Sequence, residues 1–201
     1  AYQNEILKLC NFYKVDMMIP LTDVEVDHYR NRVEEFLNKG VIVTISSENV
    51  INTLRNKLKV HETFLNSKIR VIPTYRQKEY MQNYNIFPCV AKKIMGRSSE
   101  GLLVLENENE LKNVVLKDQD YILQPFIKGD IITVDILQVS GKKNIFYIAR
   151  KELLRTKNGL GIAVEIIQDE RISSILEQFG GIIAFKGCMN LEFIKNQSTY
   201  F

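Results

Sequence analysis

The chain runs through two hydrophobic rhythms, helical near its start and alternating further on. Ile6, Leu9, Phe12 and Tyr13 share one face of a predicted helix over residues 4–13, and Val15 to Ile19 forms a short buried strand that Pro20 ends. Thr22 and Glu25 have the spacing of a capping box. Tyr29, Val33, Phe36 and Leu37 then continue at helical spacing to Gly40. Val41 to Ile45 is a β-branched strand, and Ser47 can cap a helix that carries Ile51, Leu54 and Leu58 on one face. Helix, strand, helix, strand in that order implies parallel strands joined by crossover helices. A helix over 59–67, an extended Val71 to Tyr75 and a helix over 76–84 lead to a short apolar run: Phe87, Cys89, Val90 and Ala91.

Beyond residue 100 the strand rhythm takes over. Leu102 to Leu105 reads as a returning strand. Asn107 to Glu110 can cap a helix that turns Leu111, Val114 and Val115 inward. In Ile131 to Gln138, alternation puts 131, 133, 135 and 137 on one face and 132, 134 and 136 on the other. Residues 144–149 form a strand ending at Arg150-Lys151, and a polar loop holds Arg155, Lys157 and Gly159 before the chain returns over 162–167. Asp169 caps a helix with Ile172, Ile175, Leu176 and Phe179 in register, stopped by Gly180-Gly181, and Gly187 to Ile194 is the last strand.

Length and composition narrow the classes. The 201 residues, 45% hydrophobic and 25% charged, suffice for one domain with a real core or two small ones. A net charge of +3, with no basic run interleaved by aromatics, argues against nucleic acid as a partner. No apolar run approaches a membrane span and no signal-peptide pattern opens the chain. Cys10, Cys89 and Cys188 are odd in number and far apart, and read as core thiols of a reducing compartment, the cytoplasm. The chain starts Ala1-Tyr2-Gln3 without methionine and reads as a fragment or a processed product.

The stretch richest in chemistry is Pro88 to Gly101. A buried strand delivers Lys92 and Lys93 to its end, and a loop follows with Gly96, Ser98, Ser99 and Gly101. Glycines let backbone N–H groups approach an anion, serine hydroxyls add donors, and a lysine–phosphate bond is worth roughly 1.5–3 kcal/mol. On spacing alone the stretch is equally a hairpin with a polar turn and two solvated lysines. It is not a Walker loop, because no G-K-[ST] opens a helix after it.

Lys92 to Gly101 resembles the flexible glycine-rich loop of the ATP-grasp superfamily, K-P-x-x-G-x-S-S-x-G, with Lys93 in place of the proline. Further segments resemble that superfamily in the right order. Asn56-Lys57 resembles an Asp-Lys pair whose lysine reaches nucleotide phosphates. Val71 to Tyr75 resembles a P-x-T segment. Gly129-Asp130-Ile131-Ile132-Thr133-Val134-Asp135 resembles G-x-E-x-[ST]-x-D, with Ile131 at the first acid. Arg150 to Gly159 resembles R-x-R…G, and Gly187 to Phe193 resembles G-x-x-N-[VL]-[QDE]-F. Val15 to Glu25 resembles the end of the domain that precedes ATP-grasp in carbamoyl-phosphate-synthase-like proteins.

The resemblance implies an α/β chain with a two-lobed α+β ATP-grasp fold. Residues 1–46 would end a Rossmann-like domain and 47–201 would be ATP-grasp, with 58–120 in the small lobe and 121–201 in part of the large one. It implies ATP and magnesium as cofactors. Lys57, Lys92, Gly96, Ser98, Ser99 and Gly101 would hold phosphates, Gln124, Phe126 and Ile127 the adenine, and Asp135 would complete the nucleotide site. Glu192 would hold magnesium, and Arg150 would serve the transferred phosphate or the acyl acceptor. Arg155 and Lys157 read equally as the solvated basic tip of a hairpin, and Asp135 alone as an exposed strand acid. His28 and His61 are expected to be structural or solvated.

The implied activity is activation of a small carboxylate as an acylphosphate for attack by an amine, in the manner of carbamoyl-phosphate-synthase-like ligases, with a homodimer left open. The second metal strand of the family falls beyond residue 201, so the chain alone is expected to be inactive. Because Ile131 stands where an acid is usual, the alternative is a degenerate nucleotide-binding or regulatory module. A structural α/β domain with an incidental Gly/Ser loop is the third option.

Overall fold

The computed structural model describes residues 2–96, 100–114, 120–139, 145–156, 159 and 161–201. The first layer contains α1 (Tyr2–Phe12), β1 (Met17–Met18), α2 (Asp23–Tyr29), α3 (Val33–Leu37) and β2 (Ile42–Val43). β1 and β2 pair in parallel, Met17 against Ile42 and Met18 against Val43, with α2 and α3 as the crossover. The Thr22–Glu25 capping box forms, with the Thr22 N–H donating to the Glu25 carboxylate at 2.9 Å. The single helix expected from there to Gly40 divides instead. The Arg32 N–H bonds the Tyr29 carbonyl at 2.8 Å, tightening the chain between α2 and α3, and the rings of Tyr29 and Phe36 meet edge-on in the core. α1 also turns a different face inward. Cys10 is buried and Ile6 and Leu7 pack beside it, because a narrow two-stranded sheet accepts only one stripe of a helix. Leu9, Phe12 and Tyr13, expected inside, are exposed.

α4 (Glu48–Leu54) and α5 (Lys57–Phe64) connect this layer to the rest. The helix expected to run past Leu54 stops there. The Asn56 side chain accepts from the N–H groups of Leu58 and Lys59, both at 3.1 Å, and so starts α5 with Lys57 as its first residue. α6 (Gln77–Asn83), β3 (Cys89–Lys93), β4 (Leu103–Leu105), α7 (Glu108–Asn113) and β5 (Tyr121–Pro125) follow. They build a three-stranded antiparallel sheet, β4-β3-β5, over a core of Tyr80, Cys89, Ala91, Leu105, Leu111 and Leu123. The Asn107 side chain caps α7 through the Glu110 N–H at 3.0 Å, and Val114 packs inward. Val115 lies outside the described residues.

The last third folds as β6 (Asp130–Gln138), β7 (Ile145–Arg155), β8 (Gly161–Ile167), α8 (Glu170–Ile182), β9 (Gly187–Asn196) and β10 (Thr199–Tyr200). The five strands form an antiparallel sheet in the order β10-β9-β6-β7-β8. Ile132, Val134 and Ile136 are buried in one cluster with Ile172, Leu176 and Phe179 of α8, as alternation predicts. The other face of the sheet, carrying Thr133, Asp135 and Leu137, is left open by α8. Together with the parallel β1–β2 pair, the two antiparallel sheets and their helices make an α+β fold.

Three expectations fail here. β7 does not end at Arg150-Lys151: Lys151 pairs with Ile132 and Arg155 with Gly161, so the charged run satisfies its backbone between two neighbours. α8 does not stop at Gly180-Gly181 but passes through them to Ile182. A Cβ at Gly180 would lie 2.8 Å from Ile145 Cδ1, so this glycine serves close packing. Cys10 and Cys89 are buried as expected, but Cys188 is exposed on β9. No described helix is long and apolar enough to cross a membrane.

Candidate functional site

Two half-buried lysines come together where the small sheet meets the large one. Lys57 stands at the first position of α5 and Lys92 near the end of β3. Burial, then the charges of Lys92 and Arg55, push the Lys57 amine down to about 8. Burial also lowers Lys92, against the opposing pull of the Glu192 carboxylate. That pull brings β9 of the large sheet within electrostatic reach of β3. Lys57 Nζ donates to the Gly96 carbonyl at 3.2 Å and its backbone N–H to the Ile94 carbonyl at 3.2 Å. Neither lysine forms an ion pair among the described residues. Lys57 is therefore no solvated helix-terminal lysine: it sits at the positive end of a helix, shielded and close to a like charge, where an anion would relieve both.

The loop between β3 and β4 needs its glycines. Gly101 has φ +69°, and a Cβ there would lie 2.7 Å from Tyr121 Oη; at Gly96 one would lie 2.9 Å from Lys93 Cβ. Lys93 turns away from Lys92 and pairs with Glu100 at 2.7 Å, closing the base of the loop. Ser98 and Ser99 lie outside the described residues, as does Lys157.

The segment joining the two sheets carries Gln124, Phe126 and Ile127. Gln124 Nε2 donates to Thr74 Oγ1 at 2.8 Å, while its Oε1 is buried with no partner. Phe126 is exposed, Ile127 is half-buried, and the Phe126 N–H bonds the Pro88 carbonyl at 3.0 Å. The segment thus supplies one buried acceptor without a partner and one exposed apolar ring.

The open face of the large sheet gathers the remaining charges. Thr133 is in register with Arg150 on β7 and with Glu192 on β9, which places all three on one face. Asp135 pairs with Arg150 at 2.8 Å and accepts from Asn190 Nδ2 at 2.7 Å. Arg150 sits mid-strand, not at a strand end as its sequence position suggests. Glu192 pairs with Arg155 at 2.6 Å, and Thr133 Oγ1 donates to Glu152 Oε1 at 2.7 Å. Asp130 is turned to the other face, where it pairs with Lys151 at 2.7 Å; β6 has no bulge there, so Asp130 does not stand in for the acid that Ile131 replaces. Sequence reasoning missed Asn190, Glu152 and the Arg155–Glu192 pair. Alternation carried past Arg150 would have placed Glu152 on this face.

Residues 54–194 match the family model described as an ATP-grasp domain, and the chain belongs to the ATP-grasp family. Its fold is similar to the biotin carboxylase domain of Hydrogenobacter thermophilus 2-oxoglutarate carboxylase. That match has TM-score 0.75 at 15% identity and covers 98% of this chain and 49% of that one. Campylobacter jejuni biotin carboxylase gives TM-score 0.76 at 16% identity, over 97% of this chain and 50% of that one. Bacillus anthracis D-alanine–D-alanine ligase gives 0.68 at 13%, over 97% and 70%. The chain thus spans about half the length of the two carboxylase structures. No curated protein matches the sequence.

Proposed function

We propose that the chain is the nucleotide-binding part of an ATP-dependent ligase that activates a carboxylate as an acylphosphate for attack by an amine. The observation that carries this reading is the convergence of Lys57 and Lys92, two shielded lysines with no ion-pair partner among the described residues, beside a loop whose glycines are sterically required. Shielded cations of this kind fit phosphate oxygens. Lys57 and Lys92 would hold those oxygens and neutralise charge as phosphoryl transfer proceeds, while Gly96, Ser98, Ser99 and Gly101 close over them. Gln124, Phe126 and Ile127 would receive the adenine, and Arg150 and Asp135 would border the reacting groups.

Magnesium would supply charge neutralisation between phosphate groups when bound. Glu192 is a suitable hard oxygen ligand, yet Arg155 holds it, and the described residues contain no group of three His, Cys, Asp or Glu. One carboxylate with phosphate oxygens is the metal site the described residues can offer. The Hydrogenobacter domain is described in complex with MgADP, ADP and bicarbonate, and as a dimer, which supports nucleotide and carboxylate as ligand classes here and leaves a homodimer open. Carbamoyl-phosphate-synthase-like chemistry, the cytoplasm as location, and a division into a Rossmann-like end (1–46) and a two-lobed ATP-grasp part (47–201) belong to the same proposal.

Ile131 favours one rival: a module that binds nucleotide and does not turn it over. Calorimetric titration with Mg-ADP, repeated on Lys92→Ala, tests the shared step. Binding that vanishes in the variant is expected; no binding by the wild-type chain would overturn both readings.

A further inference from the structure

Among the described residues three acids project from the open face of the large sheet: Asp135, Glu152 and Glu192. Asp135 is neutralised by Arg150 at 2.8 Å and Glu192 by Arg155 at 2.6 Å. No basic side chain pairs with Glu152 among the described residues. Its Oε1 takes the Thr133 hydroxyl at 2.7 Å, and its Oε2 is buried without a donor. A carboxylate oxygen removed from water and given nothing in exchange is unfavourable until a cation or donor reaches it. The carboxylate lies against Gly161 on β8, where a Cβ would come 1.9 Å from Oε2 and push the carboxylate aside.

The surroundings narrow what the missing partner can be. Glu152 is in register with Val164, and on β6 Ile131, in register with Ile194, lies one step from the Ile132–Lys151 pair on the same face as Thr133. The carboxylate therefore borders an aliphatic strip. A divalent cation on one carboxylate needs phosphate or further acidic oxygens to complete its site, and the neighbours here are one hydroxyl and an aliphatic strip. An ammonium group carries a single charge and three donors, and an alkyl stem behind it can lie along the strip.

We propose that Glu152 binds the cationic nitrogen of the acceptor, an amine on an aliphatic stem; this rests on the ligase reading above and names the substrate class of that same face. The acceptor draws the Glu152 carboxylate off its seat under Gly161 and gives it the donors it lacks. Lys57 and Lys92, the latter within electrostatic reach of Glu192, would take the anionic groups, so the two substrates are sorted by charge. The role is binding and orientation, and before attack the bound ammonium gives one proton to the Glu152 carboxylate, which frees the lone pair on its nitrogen.

The test is a titration of the 15N-labelled chain with n-butylammonium chloride, followed by amide shifts, with sodium butyrate as the control of opposite charge. Saturable shifts at Thr133, Glu152 and Gly161 are expected with the ammonium and none with butyrate. Glu152→Gln keeps the shape and should weaken binding by about tenfold or more. Glu152→Lys should abolish it. No saturable shift in the wild-type chain, or equal affinity in Glu152→Gln, would overturn the proposal. Mg-ADP is titrated separately into the same samples. Loss of nucleotide binding with amine binding intact sinks the ligase reading, whereas the reverse sinks only the role of Glu152.

Discussion

Lys57→Met removes one amine and keeps the length of the side chain, which isolates the charge buried at the start of α5. In the folded chain that amine is held down to about 8, from an ordinary 10.5, first by burial and then by the charges of Lys92 and Arg55. Between those two values the unfolded chain binds more protons than the folded one, so the contribution to stability rises with pH across that window. It is complete above 10.5 and lost as pH falls through about 8, where the full cost of the shielded charge returns. A wholly shielded amine shifted this far would contribute roughly 3 kcal/mol. Lys57 is only partly shielded, which reduces this to ~1–2 kcal/mol. Its removal also relieves Lys92, flattening the pH profile of the variant further. Urea unfolding of both proteins at stepped pH values measures the difference, and tyrosines, cysteines and the lysines other than Lys92 cancel in it. Wild type should gain ~1–2 kcal/mol on Lys57→Met across that window. Parallel stability curves would refute the placement of a shielded, protonated Lys57 beside Lys92.

Gly101→Ala forces a side chain into left-handed backbone at φ +69° and towards Tyr121 Oη, and should cost about 1–2 kcal/mol. For a chain of this size that lowers the melting temperature by roughly 2–4 °C per kcal/mol, and an unchanged melt would contradict the loop geometry. Glu192→Gln should shift stability by less than about 1 kcal/mol, because its ion pair with Arg155 is partly exposed. It should also make ADP affinity insensitive to magnesium in calorimetry; a magnesium-dependent gain that survives the substitution would remove Glu192 from the metal site.

What the sequence revealed and what it hid divide along the range of the interaction. The Thr22–Glu25 box, the Asn107 cap and the alternation of 131–138 are local patterns, and each appears in the structure as read. Asn56 carried an equally local signal, a side chain suited to start a helix, yet its place after an apolar helical run made Lys57 look like a helix end. The length of β7 was not local at all. Arg150-Lys151-Glu152 has no apolar alternation, and only the flanking strands β6 and β8, bonded on both sides, keep it extended. Gly180-Gly181 failed for the same reason: the glycine that reads as a stop is the one that lets Ile145 approach α8. The lysines and glycines of the site were legible by type and order. Which acid pairs with which base was not, because those pairs form between strands far apart in sequence.

Those pairs are also where the chemistry of this chain departs from what its fold can say. At identities of 13–16% the two carboxylases and the D-alanine ligase share the scaffold, while the molecules they act on differ. The two lysines arrive from separate elements, the start of α5 and the end of β3, and their shared requirement for an anion follows from shielding alone. In the ligase proposed above, discrimination among acceptors would come from the open face of the large sheet, where Asp135 and Glu192 already have arginine partners. A neutralised pair offers an incoming group little net field, since displacing the arginine costs what the ligand gains. Glu152 has no such competitor among the described residues, so a cation that reaches it displaces only the packing of one oxygen against Gly161 and the hydrogen bond from Thr133. On that proposal, selectivity for the acceptor would be concentrated at that carboxylate, with Asp135 and Glu192 already neutralised beside it.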